Sequence, residues 1–268
     1  MPYAETTLLE FSNRKKDILR GVLVLPKKVN KGRIAVMLGG FERAATPERK
    51  FKAFADALVA RDIASYRFDV TGIGLSDGDF YDTTTQSMAD DLFEAISAVK
   101  NSGFKHISLV GHSHAACALS LILPKVVIAH AVLIAPATNQ QALLRMWFAQ
   151  STNPHADIDF SNYKTYLDEE RYQHSLQDSS WTDMMTKSHA LSPRLREINS
   201  RIDYATNYKN VPPEKILIIH GADDVLCPRE SVNVRASHTV VVEGGNHDLE
   251  KPDQLNQWLP RAVEFIAQ

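Results

Sequence analysis

Ser113 stands in Gly111-His112-Ser113-His114-Ala115, where the strand-forming run ISLV gives way to an alanine-rich, helix-prone stretch. A serine hydroxyl is a weak nucleophile at neutral pH. It needs an imidazole to take its proton and a carboxylate to fix the imidazole's tautomer. Both occur downstream: ILIIHGADDVLCP puts Asp224 in a turn just past one apolar run, and VVVEGGNHDL puts His247 in a loop just past the next. A sharp strand-to-helix turn lifts a nucleophilic serine above the carboxyl edge of a sheet and requires small residues two positions to either side. Gly111 and Ala115 meet that requirement. In open α/β sheets the carboxyl edge is where ligands bind, and Ser113, Asp224 and His247 each fall just past a strand-like run, at that edge.

The elements that must position these groups follow from hydrophobic pattern. Apolar runs of four to eight residues recur as IAVML (34–38), IASYRF (63–68), ISLV (107–110), AVLIA (131–135), ILII (216–219) and TVVV (239–242). They read as buried parallel strands. Between the first two, TPERKFKAFADALVAR opens with Thr46 and Pro47 as cap and first-turn residue and repeats Phe51, Phe54, Ala55 and Leu58 at helical spacing. A second helix carries Met88, Leu92, Ile96 and Val99 on one face, with Gly103 to stop it. Ahead of both, LLEFSN and ILRGVLVLP read as an antiparallel hairpin with Asn13, Arg14 and Lys15 near the bend and Pro26 at its end. Alternating strand and helix predict an α/β architecture, with a mostly parallel central sheet and helices on both faces.

The alternation fails between 137 and 212, too long a stretch to lack structure of its own. It holds helix-like segments, QQALLRMWFAQ and SWTDMMTKSHALS, and the aromatics Trp147, Phe148, Phe160, Tyr163, Tyr166, Tyr172 and Trp181. The expected organisation is a core formed by residues 1–136 and 213–268, with 137–212 as an inserted helical cap. Most of the cap aromatics are expected to form its own small core and a minority to line a pocket.

Composition narrows the function. Thirty Lys and Arg against 32 acids, with no basic block, lack the footprint of a nucleic-acid binder. The first residues carry no secretory pattern and no apolar run reaches membrane-spanning length, so a cytoplasmic protein without membrane partners is expected. Cys117 and Cys227 are too few for a disulfide framework or a four-ligand zinc site and read as small apolar residues. The remaining histidines show no metal-ligand spacing, so neither metal nor cofactor is expected.

With these motifs in view, the chain resembles the α/β-hydrolase superfamily, in its capped serine esterase and lipase branch. FDVTGIGLSDG, with Asp69 through Gly78, is similar to the Asp-x-x-Gly-x-Gly-x-Ser-x-Gly segment of that branch. The likeness is greatest to bacterial cinnamoyl or feruloyl esterase-like and serine aminopeptidase-like hydrolases. His220-Gly221-Ala222-Asp223-Asp224 with Pro228 matches the His-Gly-x-x-Asp-x-x-x-Pro pattern, whose aspartate is the triad acid, which selects Asp224 over Asp223. The resemblance also implies an oxyanion hole of two backbone amides, His114 after the nucleophile and Phe41 in the Gly39-Gly40-Phe41 loop. Relatives often carry His-Gly where this chain has Gly39-Gly40, and glycine where it has Ala115.

The expected activity is hydrolysis of a small-molecule carboxylic ester, short to medium or aromatic in its acyl group, by Ser113, His247 and Asp224 through an acyl-enzyme. Thioesters, amides or peptides would suit the same triad, and a hydrolase-like receptor with little turnover is the alternative of another class. Oligomeric state is open, a homodimer included. His112 and His114 are expected to point away from the reacting atom, His220 to brace the Asp224 turn, Asp69 to stabilise a turn, and Asp248 to face solvent.

Overall fold

The apolar runs at 34–38, 63–68, 107–110, 131–135 and 216–219 become strands whose side chains are buried on both faces, whereas TVVV (239–242), expected to be buried as well, is an edge strand with Thr239 exposed and only Val242 buried. The computed structural model describes residues 5–28, 32–178 and 189–268. The strands are β1 (Glu5–Ser12), β2 (Ile18–Leu25), β3 (Arg33–Leu38), β4 (Ala64–Phe68), β5 (His106–His112), β6 (Ala131–Ile134), β7 (Ile216–Gly221) and β8 (His238–Val242). Among the described residues they form one eight-stranded sheet in the order β1-β2-β4-β3-β5-β6-β7-β8. β1 pairs antiparallel with β2, and β2 antiparallel with β4; all other pairs are parallel.

Helices cover the sheet on both sides. α1 (Arg49–Val59) and the C-terminal α8 (Pro252–Ala267) pack through Phe51, Phe54, Leu58 and Trp258 on the face that receives Ala35, Met37 and Val110. α2 (Thr85–Asn101) and α3 (Ala115–Ile122) pack through Met88, Leu92, Ile96 and Leu119 on the face that receives Ile34, Val36, Leu38 and Leu109. Consecutive residues of β3 thus serve opposite layers, the period-two geometry of a strand buried on both faces.

α1 departs from expectation at its start. It begins at Arg49 with Glu48 as N-cap, so Thr46 and Pro47 precede it. Thr46 is occupied elsewhere: its amide and hydroxyl both donate to the buried Asp69 carboxylate, at 3.0 and 2.6 Å. Asp69 also accepts from the Leu75 amide at 3.0 Å, so it joins the loop after β3 to the loop after β4.

Between β6 and β7 the described residues form α4 (Gln140–Thr152), α5 (Tyr163–Tyr166), α6 (Glu169–Ser175) and α7 (Arg194–Asn199). Most of the helix expected over SWTDMMTKSHALS, including Trp181, lies outside the described residues. Phe148 and Tyr172 pack with Leu144 and Leu176, while Tyr163 packs with Leu143, Met146 and Ile158; these are small cores belonging to the insert itself.

The parallel register fixes where the loops emerge. Leu38 pairs with Gly111, His112 with Ile134, Ile134 with Ile219 and Gly221 with Val242. The chain therefore leaves β3, β5, β6, β7 and β8 at one edge of the sheet.

Candidate active site

Ser113 directly follows β5, with His114 between it and α3, and its backbone is in the left-handed region at φ 55°. That conformation costs a non-glycine residue about 1–2 kcal/mol. It is held by hydrogen bonds from the Ser113 amide to the Ile134 carbonyl (2.8 Å) and from the Ala137 amide to the Ser113 carbonyl (3.2 Å). The tightness of the turn explains its small neighbours. A Cβ on Gly111 would lie 3.1 Å from Leu119 Cδ1 and 3.3 Å from the Ala115 Cβ.

Asp224 and His247 are brought to the serine by two turns packed almost into contact. The Ala222 amide donates to the Val242 carbonyl and the Asp223 amide to the Gly245 carbonyl, both at 2.9 Å. This approach requires glycine at 221, where a Cβ would sit 2.3 Å from the Gly245 carbonyl oxygen. His247 Nε2 then lies 2.9 Å from Ser113 Oγ, and His247 Nδ1 lies 2.8 Å from Asp224 Oδ2. The other carboxylate oxygen accepts the Leu226 and Cys227 amides at 3.0 and 2.9 Å. Asp224 is 5% exposed, and with both oxygens engaged its orientation is set. Asp223, by contrast, is exposed.

Neighbouring histidines act as braces. The buried His112 bonds through Nε2 to the His247 carbonyl at 2.9 Å, its ring 5.0 Å from that of His247. Burial, with the nearby Lys50 charge adding to it, holds His112 well below the ordinary imidazole range. Burial alone lowers His114 to about 4. Both are neutral at neutral pH and so place no fixed positive charge beside Ser113. His220 Nε2 bonds to the Cys227 carbonyl at 2.9 Å within the Asp224 turn; burial lowers its pKa as well.

His114 is the N-cap of α3, where backbone N–H groups lack intrahelical acceptors. Phe41 follows Gly39-Gly40 in the loop after β3, its ring 6.1 Å from that of His114. Among the described residues, neither the His114 nor the Phe41 amide donates to a backbone carbonyl.

These groups sit in a cavity of about 530 Å³ lined by Phe41, Ser113, His114 and His247, with Leu144, Trp147, Leu191, Leu195 and Leu226 supplying apolar walls. Trp147 is the insert aromatic, among those described, that reaches the cavity; it is anchored by its indole N–H to the Leu226 carbonyl at 2.9 Å. Cys227 lines the cavity too, beyond the structural role read from sequence, and burial pushes its thiol well up from the ordinary range.

Asp248 corrects an expectation. Instead of facing solvent alone, it pairs with Arg43 at 2.9 Å, and Arg43 also pairs with the buried Glu48 at 2.9 Å. The loop carrying Phe41 is thereby tied to the loop carrying His247. Sequence reading missed Arg43 because its partner Asp248 lies 205 positions on.

A serine donating to an imidazole whose far nitrogen is held by a carboxylate can attack an electrophilic carbon without separating charge in water. Among the described residues, no group of three or more His, Cys, Asp or Glu side chains could hold a metal ion, and no helix is long and apolar enough to cross a membrane.

Fold and site define the class. The sequence profile of the alpha/beta hydrolase family matches residues 36–258, and the chain belongs to that family. Solved structures share the architecture at low identity. Est1E from Butyrivibrio proteoclasticus is 18% identical with a TM-score of 0.71 over 97% of this chain and 99% of its own. The esterase Pf2001 from Pyrococcus furiosus is 18% identical with a TM-score of 0.68, covering 98% and 91%. The alpha/beta hydrolase GrgF from Penicillium sp. sh18 is 18% identical with a TM-score of 0.70, covering 98% of both chains. No curated protein matches the sequence.

Proposed function

We propose that the protein hydrolyses carboxylic esters of small molecules through Ser113, His247 and Asp224. The observation that carries this reading is the unbroken hydrogen-bonded chain from Ser113 Oγ through both ring nitrogens of His247 to Asp224, at the wall of a largely apolar cavity. Ser113 Oγ attacks the ester carbonyl carbon while its proton passes to His247 Nε2. Asp224 holds the Nδ1 proton and balances the imidazolium. The negative oxygen is taken by the His114 and Phe41 amides, each such donor contributing roughly a hundredfold to a thousandfold in turnover. His247 Nε2–H then protonates the departing alcohol. Water, deprotonated by the same nitrogen, attacks the acyl-enzyme and releases the acid and free Ser113.

Residues 137–212 act in this reading as a cap that shapes the pocket, Trp147, Leu144 and Leu195 providing its apolar surface. Esters are favoured as the substrate class by the neighbours: Pf2001 is an esterase and Est1E binds ferulic acid. Short to medium or aromatic acyl groups suit a cavity of about 530 Å³. The test is a panel of p-nitrophenyl esters from two to sixteen carbons, with methyl ferulate, given to wild type and Ser113→Ala in parallel. Turnover by wild type that disappears in a folded Ser113→Ala protein is expected; silence of folded wild type across the panel would overturn the reading.

A further inference from the structure

Asn199, the last residue of α7, lines the cavity and is only 2% exposed. Its Oδ1 accepts two hydroxyls, Thr85 at 2.8 Å and Tyr204 at 2.6 Å. The Tyr204 contact is shorter than the roughly 2.7–3.2 Å of N–H···O bonds and lies within the O–H···O range. The Oδ1 edge therefore faces the hydroxyls. Thr85 gives its one hydroxyl hydrogen to Asn199 and so accepts from His114 Nε2, 2.9 Å away. The neutral His114 carries a single N–H, which belongs on that nitrogen. The direction of the whole relay, His114 to Thr85 to Asn199, is thus fixed. Asn199 Nδ2 makes no hydrogen bond to any described residue, and it is the polar atom of this side chain left for a ligand. On the same segment Leu191 and Leu195 give the cavity apolar wall and Arg196 a polar one.

We propose that Asn199 reads a hydrogen-bond acceptor on the acyl part of the substrate, so that the preferred esters carry an oxygenated acyl group in place of a plain alkyl chain. This deepens the ester-hydrolase reading and rests on it. A buried donor with nothing to bind is costly, so a site built around one discriminates against ligands that leave it unpaired. The acyl assignment follows from the reaction's geometry. The leaving alcohol must lie against His247 Nε2, which protonates it, whereas Asn199 is coupled through Thr85 to His114, the residue after the nucleophile, on the oxyanion side.

The test compares p-nitrophenyl hexanoate with two esters of equal length in which an ether oxygen replaces one methylene, p-nitrophenyl 3-ethoxypropanoate and 4-methoxybutanoate. Rates are normalised to hydroxide-catalysed hydrolysis. Wild type should favour at least one ether ester by about tenfold to a hundredfold in kcat/KM. Asn199→Asp keeps an oxygen for Thr85 and Tyr204 but, when ionised, has no N–H, and at pH 8 should bring the ratio of ether-ester to hexanoate kcat/KM to about one or below. Equal treatment of all three esters by wild type would overturn the inference even if the variant failed to fold, and so would a preference that survives in Asn199→Asp. Hydrolysis of none of the three by wild type would overturn the underlying ester reading, and the inference with it.

Discussion

Replacing Asp224 by Asn tests how the triad is oriented. The Leu226 and Cys227 amides, at 3.0 and 2.9 Å, both donate to Oδ1, and the asparagine oxygen must stay there to satisfy them. The new NH2 group then occupies the Oδ2 position, 2.8 Å from His247 Nδ1. An NH2 can only donate, so Nδ1 becomes an acceptor and the ring's one hydrogen moves to Nε2. The nitrogen facing Ser113 Oγ across 2.9 Å can then no longer take the serine's proton. The fold should be unchanged because the substitution is isosteric, yet kcat should fall about 10⁴-fold, or roughly 5 kcal/mol of transition-state stabilisation. The assay is steady-state hydrolysis of p-nitrophenyl butyrate with circular dichroism to verify folding. Asp223→Asn, at an exposed position, serves as the control and should stay within about twofold, as surface changes generally do. An Asp224→Asn enzyme within tenfold of wild type would refute the tautomer argument, as would an Asp223→Asn enzyme that loses as much.

Two further predictions concern groups outside the triad. Asp91 is buried, accepts the Thr71 amide and hydroxyl at 2.9 and 2.8 Å on Oδ2, and is raised by burial from its ordinary 3.8 to about 6. A carboxyl that holds its proton more tightly when folded contributes its full stability below pH 3.8 and loses it as pH rises through 6. Asp91→Asn, which can still accept both bonds without a charge, should therefore exceed wild type at pH 8 by about 3 kcal/mol. The gap should close between pH 6 and 4 in urea unfolding, and a pH-independent gap would contradict the assignment. Arg43 couples the Phe41 loop to Asp248, so Arg43→Gln and Asp248→Asn should each lower kcat/KM by about tenfold, and the double variant should fall no further than Arg43→Gln, which also breaks the Glu48 pair. Additive losses would show that the pair does not act as one tie.

Much of the site was legible because its determinants are local. The five central strands β3 to β7 announce themselves as uninterrupted apolar runs, a consequence of burial on both faces, and Gly111-His112-Ser113-His114-Ala115 carries in five residues the small-residue spacing that its turn demands. Asp224 and His247 could be placed because each follows a strand by only a few residues. What sequence did not reveal depends on partners far apart in the chain. Thr46 reads as a helix cap, yet the buried Asp69 carboxylate, 23 positions on, claims both its donors. Asp248 reads as a solvated charge, yet Arg43, 205 positions away, pairs with it. The relay through His114, Thr85, Asn199 and Tyr204 joins the turn at Ser113, α2 and the insert, and no periodicity encodes such a meeting. Nor could composition tell that Trp147 would reach the cavity while Phe148, the next residue, would pack inside the insert.

The most direct test of the central claim is covalent. Wild-type protein treated with a fluorophosphonate and followed by intact mass and peptide mapping should gain one phosphonyl group, on Ser113, with ester hydrolysis lost in proportion to labelling. Labelling at another residue, or full turnover remaining after Ser113 is occupied, would contradict the account.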